Sequence, residues 1–378
     1  MPLKRNKQFI SGSQAIAQTI KELQVDVISA YPITPQTHIL EELAQFKEDH
    51  QADYEYIRAE SEFAAASIIL GASAAGGRTY SATSSQGVLL MMEVLFNASG
   101  LRLPLVMTVA NRALSAPINI FNDHSDAMAM RDSGWLMFFA ENHQEAIDLH
   151  IIAYKIAESL ELPVAINVDG FIITHAYQEA FIPNRKIIES YLPKYKPIPN
   201  SYLDSNRPVS LGGYYDSVHY QKTRQELSKD IQKSQKKVSQ EFKAWQKIWP
   251  TKKALKSTYD DGLIEYCGPK KPKAILIALG SLCGTIKEAI KSETNVGIIK
   301  IRSFRPFPKD SLNKIIPINC QLYILEKTIA IGSFGPLYQE VISSLNHFKG
   351  KATNYILGLG GQDINETDIL NIIKANRS

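Results

Sequence analysis

Between residues 25 and 168 the sequence alternates between short apolar or β-branched runs and longer stretches whose apolar residues recur at helical spacing. The short runs, at 25–30, 54–57, 79–83, 104–110, 135–139 and 163–168, have strand length. The longer stretches, at 36–50, at 88–99 and 144–160, and between Glu62 and the Gly76-Gly77 pair, have helix length. Strand, helix, strand repeated in this way predicts a doubly wound parallel sheet, because each crossover helix returns the chain to the end of the sheet from which the previous strand began. Such sheets bind their ligands at the carboxyl ends of the strands. Residues just past those ends are therefore the first candidates for function.

Three such places stand out. After 25–30 comes Tyr31-Pro32-Ile33-Thr34-Pro35, where two prolines forbid regular structure and fix a rigid turn. Glu62 opens a stretch built almost wholly from Ala, Ser, Gly and Ile, and Ser84-Ser85-Gln86-Gly87 leads from the next strand into a helix rich in Leu and Met. A carboxylate beside so many small side chains has two readings. Either it favours the positive end of a helix, or it is a buried acid that must find a hydrogen-bond partner or a proton. The third place is the long loop 111–132, NRALSAPINIFNDHSDAMAMRD. Loops of that length in compact domains are functional or disordered, and its Phe121, Met128 and Met130 predict order. Arg112 stands just past a strand end, suited to clamping a carboxylate or phosphate. Asp123, His124 and Asp126 have the chemistry of metal ligands, and equally that of a hydrogen-bonded scaffold; the second is preferred, and no metal ligand is assigned.

From about residue 184 to 261 the character changes to prolines and then a lysine-rich segment, 217–248. Leu227, Ile231, Val238, Phe242 and Trp245 form one stripe at helical spacing, so a packing arm is preferred over a nucleic-acid or membrane contact. Beyond it, AILIALGSLCG from residue 274, then VGIIKIRSF, QLYILEK and NYILGLG, predict the strands of a smaller α/β domain, with helices at 284–291, 336–346 and 366–375. Gly280-Ser281 hints weakly at an anion site; Arg302, Arg305 and Glu326-Lys327 also fall at strand ends. A net charge of +4 over 378 residues argues against nucleic acid. No stretch reaches the apolar length of a membrane span, and the basic start lacks a signal-peptide core, which predicts a cytoplasmic protein. Cys267, Cys283 and Cys320 are too scattered for a cluster motif, so iron–sulfur chemistry would have to come from another chain.

YPITPQT, AESEFAAASIILGASAAGGRTYSATSSQG, NRALSAPINIFNDHSDAMAMRDSGW and INVDGFIITH follow one another in an order that resembles the alpha subunit of pyruvate:ferredoxin oxidoreductase and related 2-oxoacid:acceptor oxidoreductases. The resemblance implies a pyrimidine-binding thiamine diphosphate domain over 1–183, a linker with a long charged helix over 184–261, and a domain of the transketolase C-terminal type over 262–378. It implies a heteromeric enzyme that decarboxylates a 2-oxoacid, forms acyl-coenzyme A and passes electrons to ferredoxin, working with beta, gamma and delta-type subunits. Thiamine diphosphate would be shared with the beta chain, which would hold the diphosphate and Mg2+; iron–sulfur clusters would lie in partner chains. This sequence agrees in having no Gly-Asp-Gly signature. Glu62 would bond the aminopyrimidine ring, in a cofactor-binding set with Ser85, Gln86 and Gly87. Thr34 and Arg112 would contact the 2-oxoacid carboxylate, completing a catalytic set of Glu62, Thr34 and Arg112. Pyruvate is the first substrate expected, with branched-chain 2-oxoacids and 2-oxoglutarate next. A non-catalytic scaffold subunit remains an alternative, and a self-sufficient transketolase or decarboxylase is disfavoured by the missing diphosphate signature.

Overall fold

The computed structural model describes residues 7–251 and 257–375. The basic start at 1–6, the segment 252–256 within the expected linker, and 376–378 lie outside the described residues. The first part of the chain runs β1 (Lys7–Ser11), α1 (Gly12–Glu22), β2 (Val27–Ala30), α2 (Thr37–Glu48), β3 (Glu55–Arg58), α3 (Glu62–Ala74), β4 (Thr79–Thr83), α4 (Gln86–Gly100), β5 (Val106–Asn111) and α5 (Ser125–Ala129). It continues with β6 (Leu136–Phe139), α6 (His143–Leu160), β7 (Val164–Asp169), β8 (Tyr177–Phe181), α7 (Arg185–Tyr191) and α8 (Ser217–Ile248). The second part holds β9 (Tyr259–Asp260), β10 (Ile264–Cys267), β11 (Ala274–Ala278), α9 (Leu282–Ala289), β12 (Val296–Ile301), β13 (Ser303–Arg305), α10 (Lys309–Ile315), β14 (Gln321–Glu326), α11 (Pro336–Ser344), β15 (Ala352–Ile356) and α12 (Glu366–Ala375).

All the strands expected between residues 25 and 168 are present, and they pair in parallel in the order β6-β7-β5-β4-β2-β3. The inner strands β4, β5, β6 and β7 are buried along their whole length because both faces of the sheet are covered, while the edge strand β3 is largely exposed. Helices α1, α2 and α6 bury Ile16, Ile20, Ile39, Leu43, Ile147 and Leu149 on one face. Helices α3 and α4 bury Ala65, Ile69, Met91 and Leu95 on the other. Strands β2 and β4 are neighbours, yet β2 connects outward to β3 while β4 connects the other way to β5. The crevice between their carboxyl ends is the topological switch point, where open α/β sheets take ligands. Thr34 follows β2 and Ser85 follows β4.

The second sheet has the order β15-β14-β11-β12-β10-β9, with β15, β14, β11 and β12 parallel and β10 and β9 antiparallel additions. Here the reading of the sequence needs correction. VGIIKIRSF is not one strand: β12 ends at Ile301 and β13 crosses to pair antiparallel with β6, at the edge of the first sheet. Arg302 makes the break. Its guanidinium bonds Glu145 at 2.5 Å and Asp260 at 3.1 Å, so its side chain faces two elements at once. Beside it Lys300 reaches Glu141 and Glu145, and Lys287 reaches Glu141 and Glu265, all within 3.0 Å. This buried lattice of charges joins α6 to the second sheet.

The lysine-rich segment is a packing arm, as its stripe predicts. Leu227, Val238, Phe242 and Trp245 are buried against the first core, and the Trp245 indole donates to Asp148 of α6 at 3.0 Å. Several further elements escaped the sequence reading: helices α1, α5, α7 and α10, strands β9 and β10, and the small antiparallel pair β1–β8 that brings residue 7 to residue 181. Among the described residues no helix is long and apolar enough to cross a membrane. Cys267, Cys283 and Cys320 are buried free thiols.

Candidate active site

Helix α3 begins at Glu62 because Ser61, extended at φ −159°, caps it by accepting from the Ala64 N–H at 3.1 Å. Glu62 is 8 % exposed. Its carboxylate lies against Gly87 in the first turn of α4: a Cβ added at Gly87 would stand 2.9 Å from Glu62 Oε1 and 2.3 Å from Thr83 Oγ1. A glycine is thus required for this approach of helix to carboxylate. The hydroxyls of Thr83 and Ser84 are buried with no hydrogen-bond partner among the described residues. Buried polar atoms without partners are rare in folded chains and mark places where a ligand completes the bonding. A buried carboxylate, unpaired hydroxyls and a close-packed glycine at the start of α4 supply the donors and acceptors that a flat nitrogen heterocycle needs.

Ser85 makes the turn into α4 with φ +50°, a conformation that costs a non-glycine residue roughly 1–3 kcal/mol. Two bonds hold it there. Its N–H donates to Asp126 Oδ2 at 2.9 Å, and its Oγ donates to the Ala113 carbonyl at 2.6 Å. Gln86 turns its side-chain oxygen back to Ser85 Oγ at 2.5 Å. Gln36 was not singled out from the sequence, although it lies within YPITPQ. It is buried, and its amide bridges the Tyr31 carbonyl at 3.0 Å and the Ala82 carbonyl at 2.9 Å, tying the end of β2 to β4.

Arg112 is 8 % exposed at the end of β5. Burial works against its charge, and the nearby Asp126 supports it. Its Nη1 donates to the Thr34 carbonyl at 2.9 Å and its Nε to the Asn119 carbonyl at 3.2 Å. Thr34 itself is exposed, in the turn held by the cis Thr34–Pro35 bond. Gly170 is needed beneath that turn, since a Cβ there would stand 2.6 Å from the Pro35 ring and 2.4 Å from the Asn111 carbonyl. Thr34 and Arg112 are therefore in direct contact. Glu62, Ser85 and Gly87 sit on the adjoining strand ends.

Each member of the loop trio is hydrogen-bonded within the fold, as a scaffold role predicts. Asp123 accepts from Ser125, His124 Nε2 meets Asp169 Oδ1 at 2.7 Å, and Asp126 accepts four bonds within the loop and the strand ends. No group of His, Cys, Asp and Glu with metal-binding geometry occurs among the described residues. Burial pushes the Asp126 carboxyl up to about 6 in spite of those hydrogen bonds. The anion suggested by Gly280-Ser281 is the protein's own Asp169: the Ser281 N–H donates to it at 3.1 Å, its hydroxyl donates as well, and Lys327 Nζ reaches it at 2.8 Å. Burial alone would raise the Asp169 pKa, but Lys327 and His124 hold it well below the usual carboxylate range.

The sequence model of the pyruvate flavodoxin/ferredoxin oxidoreductase, thiamine diphosphate-binding region matches residues 18–243, more than half of the chain. The chain belongs to this family. The pyruvate:ferredoxin oxidoreductase core domain II model matches residues 273–369. Among its relatives, the pyruvate synthase subunit PorA of Methanocaldococcus jannaschii is 44% identical over 376 residues, covering 97% of this chain and 94% of that one. PorA of Methanosarcina barkeri is 40% identical, covering 100% of this chain and 94% of its own length. The ketoisovalerate oxidoreductase subunit VorA of Pyrococcus abyssi is 35% identical, covering 96% and 91%. In three dimensions the chain resembles the 2-oxoglutarate:ferredoxin oxidoreductase from Magnetococcus marinus, with a TM-score of 0.70 at 18% identity. It covers 99% of this chain and 65% of that one, so the family fold is shared and the longer protein has more chain besides.

Proposed function

We propose that this chain is the alpha subunit of a pyruvate:ferredoxin oxidoreductase, which converts pyruvate and coenzyme A to acetyl-coenzyme A, carbon dioxide and a proton while two electrons leave on ferredoxin. The observation that carries it is a buried carboxylate packed against Gly87 beside buried hydroxyls that have no partner among the described residues, on the same sheet whose switch-point turn is fixed by Arg112 through the Thr34 carbonyl. In this reading Glu62 would hold the proton shared with the aminopyrimidine ring, and Ser85, Gln86 and Gly87 would shape the wall of its site. Thiamine diphosphate, when bound, supplies the electron sink for decarboxylation. Arg112 and Thr34 orient the 2-oxoacid carboxylate, a task that suits the planar guanidinium fork.

Partner chains complete the site. Helix α3 is apolar nearly all round, and α3 and α4 leave Phe63, Leu89, Leu90 and Phe96 exposed. Apolar patches of that kind mark protein–protein contacts. The diphosphate, Mg2+ and iron–sulfur clusters belong to those beta, gamma and delta-type partners. Purified alone, the chain is expected to bind thiamine diphosphate more weakly than micromolar, as titration calorimetry would detect; tighter binding would mean that the site is complete within one chain.

Pyruvate is favoured over branched-chain 2-oxoacids by the closer relatives, and the ketoisovalerate relative makes the branched-chain acids the second reading. The deciding assay is coenzyme A-dependent ferredoxin reduction by the assembled complex, with pyruvate, 2-oxoisovalerate and 2-oxoglutarate compared by kcat/KM. Arg112→Lys replaces a fork by a point charge, and an increase of about 1–3 kcal/mol in the barrier read from kcat/KM is expected, with assembly intact. An unchanged kcat/KM would remove Arg112 from the substrate site.

A further inference from the structure

We propose that Asp126 is the positioning residue of this site, a single buried carboxylate that sets both the cofactor-side turn at Ser85 and the substrate-side arginine. The inference rests on the functional reading given above, in that it needs Ser85 and Arg112 to face the cofactor and the substrate. Asp126 lies on short helix α5, remote in sequence from the Ser84–Gly87 turn, and is fully buried. Its four hydrogen bonds divide evenly between its two oxygens. Oδ2 accepts from the Ser85 N–H at 2.9 Å and the Arg112 N–H at 3.0 Å; Oδ1 accepts from Asn111 Nδ2 at 2.9 Å and the Ala127 N–H at 2.7 Å.

Every neighbour of the carboxylate is a donor, so only a group that accepts at both oxygens satisfies the arrangement. Oδ2 is the junction that matters. It binds the strained residue that begins the cofactor wall and the backbone of the residue whose side chain reaches Thr34. A shift of Asp126 therefore moves both together, whereas a change in Gln86 or in Asn119 moves one. The same carboxylate fixes Asn111, whose amide also donates to Asn167 Oδ1 at 3.1 Å and so ties β5 to β7. Misplacement by about 1 Å at such a site can cost on the order of 100-fold in rate.

The test is Asp126→Asn in the assembled enzyme, where an amide nitrogen is set against donors. The expected result is a rise of tenfold or more in both KM for the 2-oxoacid and Kd for thiamine diphosphate, with subunit assembly retained. A merely structural Asp126 would lower the unfolding midpoint and leave KM and Kd of the folded fraction unchanged, which would overturn the proposal. Combination with Arg112→Lys supplies a second readout. If Asp126 acts through Arg112, the losses in kcat/KM of the pair fall short of the product of the single losses; independent, multiplicative losses would overturn it. Should Asp126→Asn fail to assemble, Asn111→Ala removes one donor to the same carboxylate. It is expected to raise both KM and Kd several-fold, and unchanged values there would equally sink the proposal. A kcat/KM unaffected by Arg112→Lys alone would refute the functional reading instead, so the two failures are distinct.

Discussion

Replacing Glu62 by Gln is expected to lower turnover of the assembled enzyme by roughly 10²–10⁴-fold while folding and assembly persist. Glutamine has the size of glutamate, so the close contact with Gly87 and the packing of α3 on α4 are kept. What is lost is the ability to hold a negative charge, which the proposed role at the aminopyrimidine ring requires. The alternative role, favouring the positive end of helix α3, contributes at most about 2 kcal/mol at a buried position of this kind. The helix start does not depend on it either, because Ser61 already caps the helix through the Ala64 N–H. The two roles therefore separate in measurement. Steady-state turnover, the unfolding midpoint and the cofactor Kd are compared between parent and variant. A near-parental turnover with a lowered midpoint would make Glu62 a helix-terminal residue and nothing more.

The parallel strands were legible because a strand covered on both faces reads as a largely apolar run, as β5, β6 and β7 do, and β4 as a short run rich in β-branched residues. Helix α1 also carried a signal: Ser11 and Gln14 form a capping box, spelled by SGSQ before the apolar spacing of Ile16 and Ile20. The pairing of β1 with β8 carried none, since its partners are far apart in sequence and its outer residues are exposed. Nor did the switch of β13 to the first sheet, which depends on Arg302 finding Glu145 and Asp260 across space. At the proposed site, Thr34 and a cofactor role for Glu62 came only through the resemblance to the family, whereas Arg112 could be picked out from residue type and its place past a strand end. Gln36, Thr83 and Asn111 could not, because their importance lies in being buried and in which carbonyls or gaps they meet. Asp126 shows the limit most clearly: the sequence offers an acid in a loop, and only the fold surrounds it with donors.

Asp169→Asn is expected to destabilise the chain by about 3–5 kcal/mol, because it removes one partner of a buried ion pair and leaves the other charge uncompensated. Asp169 ends β7, directly before the Gly170 that supports the Pro35 turn, and is 1 % exposed. Lys327 from the end of β14 reaches its Oδ2 at 2.8 Å, with Ser281 from the end of β11 on the same oxygen and His124 on the other. The carboxylate is thus the point at which the two sheets and the long loop meet. Since its pKa is held below the ordinary value, its contribution is present above the unfolded-state value of about 3.9 and drains away as pH falls below it. Urea unfolding of the purified chain checks both parts: the parent should lose stability more steeply than the variant as pH falls from about 5 toward 3. Adding Lys327→Met to Asp169→Asn should recover part of the loss, because a buried pair replaced by uncharged groups of similar volume is often close to neutral. If the double variant is no more stable than Asp169→Asn, the cost lies in the Ser281 and His124 bonds. In that case the charge of Lys327 is not what binds the two sheets together.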